Sequence, residues 1–390
     1  MRTPRAGRLR SVVCGILGLA LAGVGVPAPR PARAVEPVNV RVGIVVEQPV
    51  LHIAADTAVT ATDTAGGSPV TLPSGEWTVL PGSSGLDLAG TSFGPIVRLI
   101  PQTGFLKVEG RAYRGVIELR RTAAGRLTAV NDLELQAYLY GVIKGEIDPH
   151  WPPEAVKAQA IAARTLAVER LSAPHAAAAA GGYDLPATTD AQVYLGMAGE
   201  DPAGNAAVDA TRGLLVTYDG RPIFAAYHSN SGGHTEDSES VWGTVYPYLR
   251  GVPDPYGLSA PGATWNAVVP LAAIEAALRR GGVDVPALDR IEPARTTAWG
   301  RAITVRLLGE DGRAEEISAN RFRLLVGAGT VRSTMFTAVR RGADVEFVGR
   351  GSGHGVGLDQ WGARAMAQQG FTCEQILKYY YAGVTIEQRY

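Results

Sequence analysis

The sequence predicts an α+β protein, with a small β-rich module followed by a larger α+β domain built around one buried, alanine-rich helix. Three observations carry this. Residues 38 to about 106 hold short apolar runs separated by Gly, Pro, Ser and Asp clusters, with no helical period. Residues 152–171 are small and apolar almost all the way round, as in a helix packed on every side. Residues 262 to 345 alternate a helix with strands, as in an α+β segment.

The chain opens with four arginines in its first ten residues, an apolar run from Val12 to Val26, and a proline-rich stretch ending at Ala34. That order of charged, apolar and small-residue regions predicts a secretory signal peptide over residues 1–34. The apolar run is short for a membrane span, so no transmembrane helix is expected to be retained, and an uncleaved anchor is the minority alternative. Removing residues 1–34 takes away six arginines and no acid, which leaves 31 basic residues against 37 acidic ones. A nucleic-acid partner calls for the opposite sign. Only Cys373 then remains as a thiol, so neither a disulfide within the chain nor a cysteine metal cluster is expected.

In order, the β-rich module runs over residues 35–125 and includes Val40–Val46, Val50–Ile53 and Pro95–Ile100. A hairpin is expected from Tyr113–Arg120, a turn at Ala124 and Gly125, and Leu127–Val130. The second domain covers residues 126–390. It begins with Tyr138–Glu146, read as a strand because of its Tyr, Val and Ile content, with Glu146 at the strand end. Pro152 and Pro153 suit a first helical turn, and Glu154 suits the positive end of the helix dipole. In the helix that follows, Val156, Ala160, Ala163 and Ala167 form one apolar face, and Ala155, Ala158 and Ala162 another. Lys157 and Arg164 fall on nearly the same side, where long cations are unusual, and their heads are expected to meet something anionic.

Residues 172–186, mostly Ala and Gly, read as a flexible loop. Next come Gln192, Tyr194 and Gly196, a helix ending near Thr211, and strands Leu214–Tyr218 and Ile223–Tyr227. The last of these leads into the polar turn His228–Thr235, whose glycines allow close backbone approach. Residues 262–345 form an added α+β segment, with a helix at Leu271–Arg280 and strands at Ala302–Leu308 and Val345–Val348. The tail holds the glycine-rich run 349–357 around His354, then helices Ala363–Gln369 and Cys373–Tyr381.

Glu146 is the leading catalytic candidate. An acid that ends an apolar element beside a Trp-Pro turn and a buried helix can be desolvated, which raises its pKa and lets it donate a proton near neutral pH. A surface carboxylate is the plain alternative, and Asp148 is the local rival. His228, His234 and His354 match no zinc spacing, and no metal site or cofactor is assigned. Ser229 and Ser231 beside His228 lack the Gly-x-Ser-x-Gly elbow of a serine hydrolase. The glycine run lacks the Gly-Lys-Ser/Thr ending of a phosphate loop. Trp242 and Tyr248 near the polar turn fit a carbohydrate platform or the core.

Several blocks occur together: Tyr138-Leu-x-Gly-Val-x-x-x-Glu146, Glu154-Ala-x-Lys157-Ala-Gln159 through Arg164-Thr165, Gln192-Val-Tyr194, and His228-Ser-x-Ser231-Gly-Gly. They continue with Arg321-Phe-Arg323, Gly353-His354-Gly-Val-Gly-Leu-x-Gln360 and Tyr379-Tyr380. This series resembles the stage II sporulation protein D and LytB (SpoIID/LytB) family from about residue 130 to the end. The resemblance implies an exported peptidoglycan lytic transglycosylase, which cuts between N-acetylmuramic acid and N-acetylglucosamine and leaves 1,6-anhydro ends. Its implied substrate is glycan stripped of stem peptides by a partner N-acetylmuramoyl-L-alanine amidase.

The family's catalytic acid falls on Glu146, its helix residues on Lys157, Gln159 and Arg164, and its glycine-flanked histidine on His354. Gln192, Tyr194, His228, Ser229, Ser231 and Gln360 complete the expected substrate-binding set. The chain departs from the family at Leu166, where an aromatic is common, and at Ser352, where Trp or Phe is. It also lacks the Cys and His that some members carry before the Gln-x-Tyr block. A non-catalytic amidase enhancer or wall-binding protein of the LytB type is the competing function.

Overall fold

The computed structural model describes residues 38–172 and 181–390. The expected signal peptide and most of the Ala/Gly loop lie outside these residues. Two sheets make up the first part of the chain. The seven-stranded sheet runs in the order Leu185–Pro186, Asn39–Gln48, Leu127–Glu134, Val116–Arg121, Ile96–Pro101, Val59–Asp63 and Val70–Leu72. The six-stranded sheet has Leu51–Ala55 and Gly75–Pro81 at its centre. Alternation sets the core: Val40, Val42, Val97, Leu99, Ile117 and Leu119 are fully buried. Leu127–Glu134 pairs with both Asn39–Gln48 and Val116–Arg121, so the sheet continues past residue 125.

The next run is helical. α1 spans Leu135–Glu146 and α2 spans Pro153–Ser172. The expected strand at 138–146 is therefore corrected to a helix. Its buried residues, Leu135, Tyr138, Leu139, Val142 and Ile143, recur at spacings of three and four, and that period outweighs the β preference of Tyr, Val and Ile.

α2 is the buried central helix. Val156, Ala160, Ala163 and Ala167 join the core of the seven-stranded sheet and α1. Ala155, Ala158, Ile161, Ala162 and Leu166 join a second core with Val216, Val356, Leu358 and Tyr381. Small side chains on both faces let two layers close on one helix.

α3 (Pro202–Ala210) is capped by Asp201, whose carboxylate accepts the Ala203 N–H. Leu214–Tyr218 is a strand as expected, but Ile223–Tyr227 is not. Only Arg221–Pro222 and Tyr227–His228 pair, the latter in parallel with Leu358–Asp359, and Ile223, Ala225 and Ala226 are buried by packing instead. After the short α4 (Ser238–Trp242), residues 264–350 build a third core around Trp265, Phe322, Phe336 and Phe347. This part contains α5 (Leu271–Arg280), two three-stranded antiparallel sheets and α6 (Ala319–Val326). The tail adds α7 (Gln360–Gln368) and α8 (Cys373–Tyr380). No helix among the described residues is long and apolar enough to cross a membrane.

Candidate active site

Glu146 is the last residue of α1, and the fit of the segment 192–196 against that helix determines its surroundings. A Cβ at Gly141 would lie 2.4 Å from the Tyr194 ring, and one at Gly145 would lie 2.7 Å from the Val193 carbonyl oxygen. Only glycine at both positions lets the segment lie this close. The approach brings the Val193 N–H to 2.7 Å from Glu146 Oε1. The Tyr227 hydroxyl reaches the same carboxyl. Burial raises the Glu146 pKa above the ordinary carboxyl value, and the Val193 and Tyr227 hydrogen bonds oppose it. Among the described residues no cation figures in that shift.

Glu146 borders two depressions. One, of about 430 Å³, runs past Lys144 and Asp148 to Trp151, Ser229, Gln360 and Trp361. The Trp151 and Trp361 rings lie 4.8 Å apart, and the Arg364 guanidinium is 5.5 Å from the first and 5.0 Å from the second. The two rings are tilted 52° to each other, and their apolar faces with polar edges suit a sugar. The other depression, of about 480 Å³, is walled by Arg170, Phe224, Tyr227, Trp242, Asn320, Arg323 and His354.

His354 is one of the expected residues that share a depression with Glu146. Its Nδ1 accepts the Val356 N–H at 3.1 Å, which leaves the ring proton on Nε2. Burial, then the nearby Arg323 and Arg301 charges, push its pKa down to about 3, so it is neutral at physiological pH. His228 lies behind it, ring centroids 5.4 Å apart. Its Nδ1 is 3.1 Å from the Val356 carbonyl oxygen, and its buried Nε2 has no partner among the described residues. Gly353, at φ 101°, makes this approach possible, since a Cβ there would sit 2.8 Å from the His228 Cβ. Among the described residues no group of three His, Cys, Asp or Glu side chains is placed to hold a metal ion.

The remaining expected residues divide by location. Ser229 and Gln360 line the first depression. Lys157 pairs with Glu154 at 2.8 Å and lines neither. Gln159 is buried and accepts a 3.4 Å bond from Gln360, so it reaches the site through its neighbour.

Four further positions line neither depression. Arg164 is fully buried and faces its own chain, donating to the Val208 carbonyl at 2.9 Å and to Thr211 Oγ1 at 3.2 Å. Gln192 is buried one layer back, accepting from the Tyr138 hydroxyl and donating to the Ala163 carbonyl and to Tyr227 Oη at 3.1 Å. Tyr194 is core, its hydroxyl bonded to Asn131 Oδ1 at 2.7 Å. Ser231 is buried among backbone bonds, and its Oγ accepts the Gly233 N–H.

Two groups at the cleft, Tyr227 and Arg323, are absent from the expected site set. Tyr227 accepts from Gln192, which leaves its own proton free for Glu146. Arg323 arrives from the inserted segment. Nothing local marks Tyr227, whereas the Arg321-Phe-Arg323 block did flag the second position.

Comparison with known proteins now decides the family. A profile described as "Stage II sporulation protein" matches residues 123–218. Stage II sporulation protein D of Bacillus amyloliquefaciens is 31% identical over 271 residues, which is 67% of this chain and 76% of that one. The chain belongs to the SpoIID/LytB family. An uncharacterised protein of Brachyspira hyodysenteriae (strain ATCC 49526 / WA1) is 34% identical over 67% of this chain and 68% of its own. A Bacillus subtilis (strain 168) protein named "Amidase enhancer" is 29% identical over 64% of this chain and 40% of its own length. The SpoIID profile covers α1, α2, Gln192 and Tyr194, the Glu146 side of the cleft. His354 and α6, on the far wall, lie outside it.

Proposed function

We propose that this protein is an exported peptidoglycan lytic transglycosylase, with Glu146 acting first as general acid and then as general base. A single observation carries the reading: one carboxyl, raised in pKa by burial, borders two depressions that are both lined by aromatic side chains.

The chemistry needs no second carboxylate. Protonated Glu146 gives its proton to the oxygen between N-acetylmuramic acid C1 and the N-acetylglucosamine leaving group, and the C1–O bond breaks. The muramyl 6-hydroxyl then attacks C1, and the Glu146 carboxylate takes the hydroxyl proton, closing the 1,6-anhydro ring and restoring the acid. A hydrolase would use two carboxyls, one of them on water or on C1. The other acids bordering the depressions, Asp148 and Asp190, are exposed to solvent. Tyr227, held by Gln192, positions the Glu146 carboxyl, and neutral His354 lines the same cleft. The strands are peptide-stripped glycan outside the cytoplasm, reached through the amino-terminal leader, with an amidase as the partner that strips them.

A second reading follows from the relative named "Amidase enhancer": a wall protein that stimulates an amidase without cutting glycan. Digestion of purified peptide-free strands, followed by mass spectrometry, separates the two. Anhydro-muramyl ends that vanish in Glu146→Gln support the transglycosylase. Ordinary reducing ends indicate a hydrolase, and intact strands with undiminished amidase stimulation by Glu146→Gln indicate the enhancer.

A further inference from the structure

The far wall of the second depression is supplied by the inserted segment. α6 buries Phe322 in the third core, against Phe336 and Phe347. The spacing i, i+3, i+4 places Asn320, Arg323 and Leu324 on one face, and all three line the cleft that Glu146 and His354 also border.

Two of these side chains have unused bonding capacity. Arg323 donates Nε to the Arg332 carbonyl at 3.0 Å, and among the described residues neither Nη group has an acceptor and no carboxylate pairs with the guanidinium. The Oδ1 of Asn320 is buried without a donor. The other arginine lining this depression, Arg170, lies 3.8 Å from Glu169 and over the Phe224 ring. A half-buried guanidinium with two free N–H groups is matched by a carboxylate, which accepts both in parallel. An orphaned amide oxygen is matched by a hydroxyl or amide N–H.

We propose that Arg323 and Asn320 form a specificity face of the cleft, Arg323 binding a substrate carboxylate and Asn320 Oδ1 accepting from a hydroxyl or amide N–H beside it. This rests on the glycan reading of the cleft. Peptidoglycan offers such a carboxylate in two places, the lactyl ether of a peptide-free muramic acid and the stem peptide. The inserted segment therefore selects which glycan enters, while α1 supplies the proton.

Binding tests this without turnover. Calorimetry in a Glu146→Gln background would compare peptide-free glycan fragments bearing free lactyl carboxylates with the same fragments converted to methylamides. A parallel pair carries stem peptides with free or amidated carboxyls. Arg323→Ala should weaken the carboxylate form by about tenfold or more, the scale of a charge-assisted bond, and leave the amide form unchanged. Arg323→Lys should recover part of the loss, because a point charge replaces the fork.

A loss confined to the peptide-free pair assigns the lactyl group, and one confined to the peptide-bearing pair assigns the stem. Equal binding of acid and amide by the unsubstituted face, equal losses for both forms in Arg323→Ala, or no binding of any fragment overturns the proposal. Absence of cleavage by wild-type protein would remove the transglycosylase reading and leave this comparison standing.

Discussion

Arg164 on α2 and Arg323 on α6 are both arginines on helices that help to frame the Glu146 cleft, and their surroundings are opposite. Arg164 is fully buried, with the Val208 carbonyl and Thr211 hydroxyl as its acceptors, and burial lowers its pKa only to about 10, so it stays charged. Arg323 uses one N–H on its own chain and turns the rest to the cleft. The difference shows that a cation on an apolar helix does not by itself mark a ligand site. What matters is whether its donors reach the cleft: those of Arg164 are enclosed by its own chain, including an Nε that has no partner among the described residues. The helix with the stronger sequence signal has the structural arginine, and the less conspicuous helix has the available one.

The largest effect concerns the chemistry that both walls serve. Glu146→Gln should lower the release of anhydro-muramyl ends at least about 100-fold, the range of a general acid–base group, with a near wild-type melting curve. Next, Arg164→Ala should cost about 3 kcal/mol in urea denaturation, since it leaves a cavity and unpaired carbonyls. Arg323→Ala should stay within about 1 kcal/mol of wild type in the same measurement. If Arg164→Ala keeps its stability but loses glycan affinity, the contrast between the two arginines is wrong.

Smaller effects sharpen the picture. Tyr227→Phe removes a hydrogen bond that favours the Glu146 carboxylate, so the Glu146 pKa rises, and the high-pH limb of the rate profile should move to higher pH. For His354, the unfolded ring has the ordinary value of 6.5 and the folded one about 3. Between these values the unfolded state binds more protons, so this group's contribution to stability is present above pH 6.5 and falls as pH drops toward 3. Arg323 is part of the cause, so in Arg323→Ala an NMR titration should show the His354 pKa displaced upward. Smallest of all, Lys157→Ala breaks a partly exposed i,i+3 pair and should change stability by less than about 0.5 kcal/mol.

The two faces of α2 were legible residue by residue, because small side chains at helical spacing have few other places to go. Glu146 was also singled out as a site candidate, at the end of a run read as a strand that folds as a helix. Tyr, Val and Ile in residues 138–146 suggest a strand, yet the buried positions follow a helical period, and Gly141 and Gly145 are contact surfaces for the segment at 193–196. Gln192 could be recognised as important but not placed, since its three partners, Tyr138, Ala163 and Tyr227, come from three separate stretches of chain. The pairing of His354 with the Glu146 cleft depends on Gly353 permitting contact with His228, and no local pattern records which loop it meets.

Sequence alone determined the α+β class, the buried central helix, the candidate acid and the resemblance to SpoIID relatives, because period, composition and ordered motifs are properties of neighbouring residues. Tertiary structure alone decided which polar side chains face the cleft and which are consumed inside the protein. That choice depends on hydrogen-bond partners contributed from distant parts of the chain, and a donor's availability is fixed only when those partners are in place.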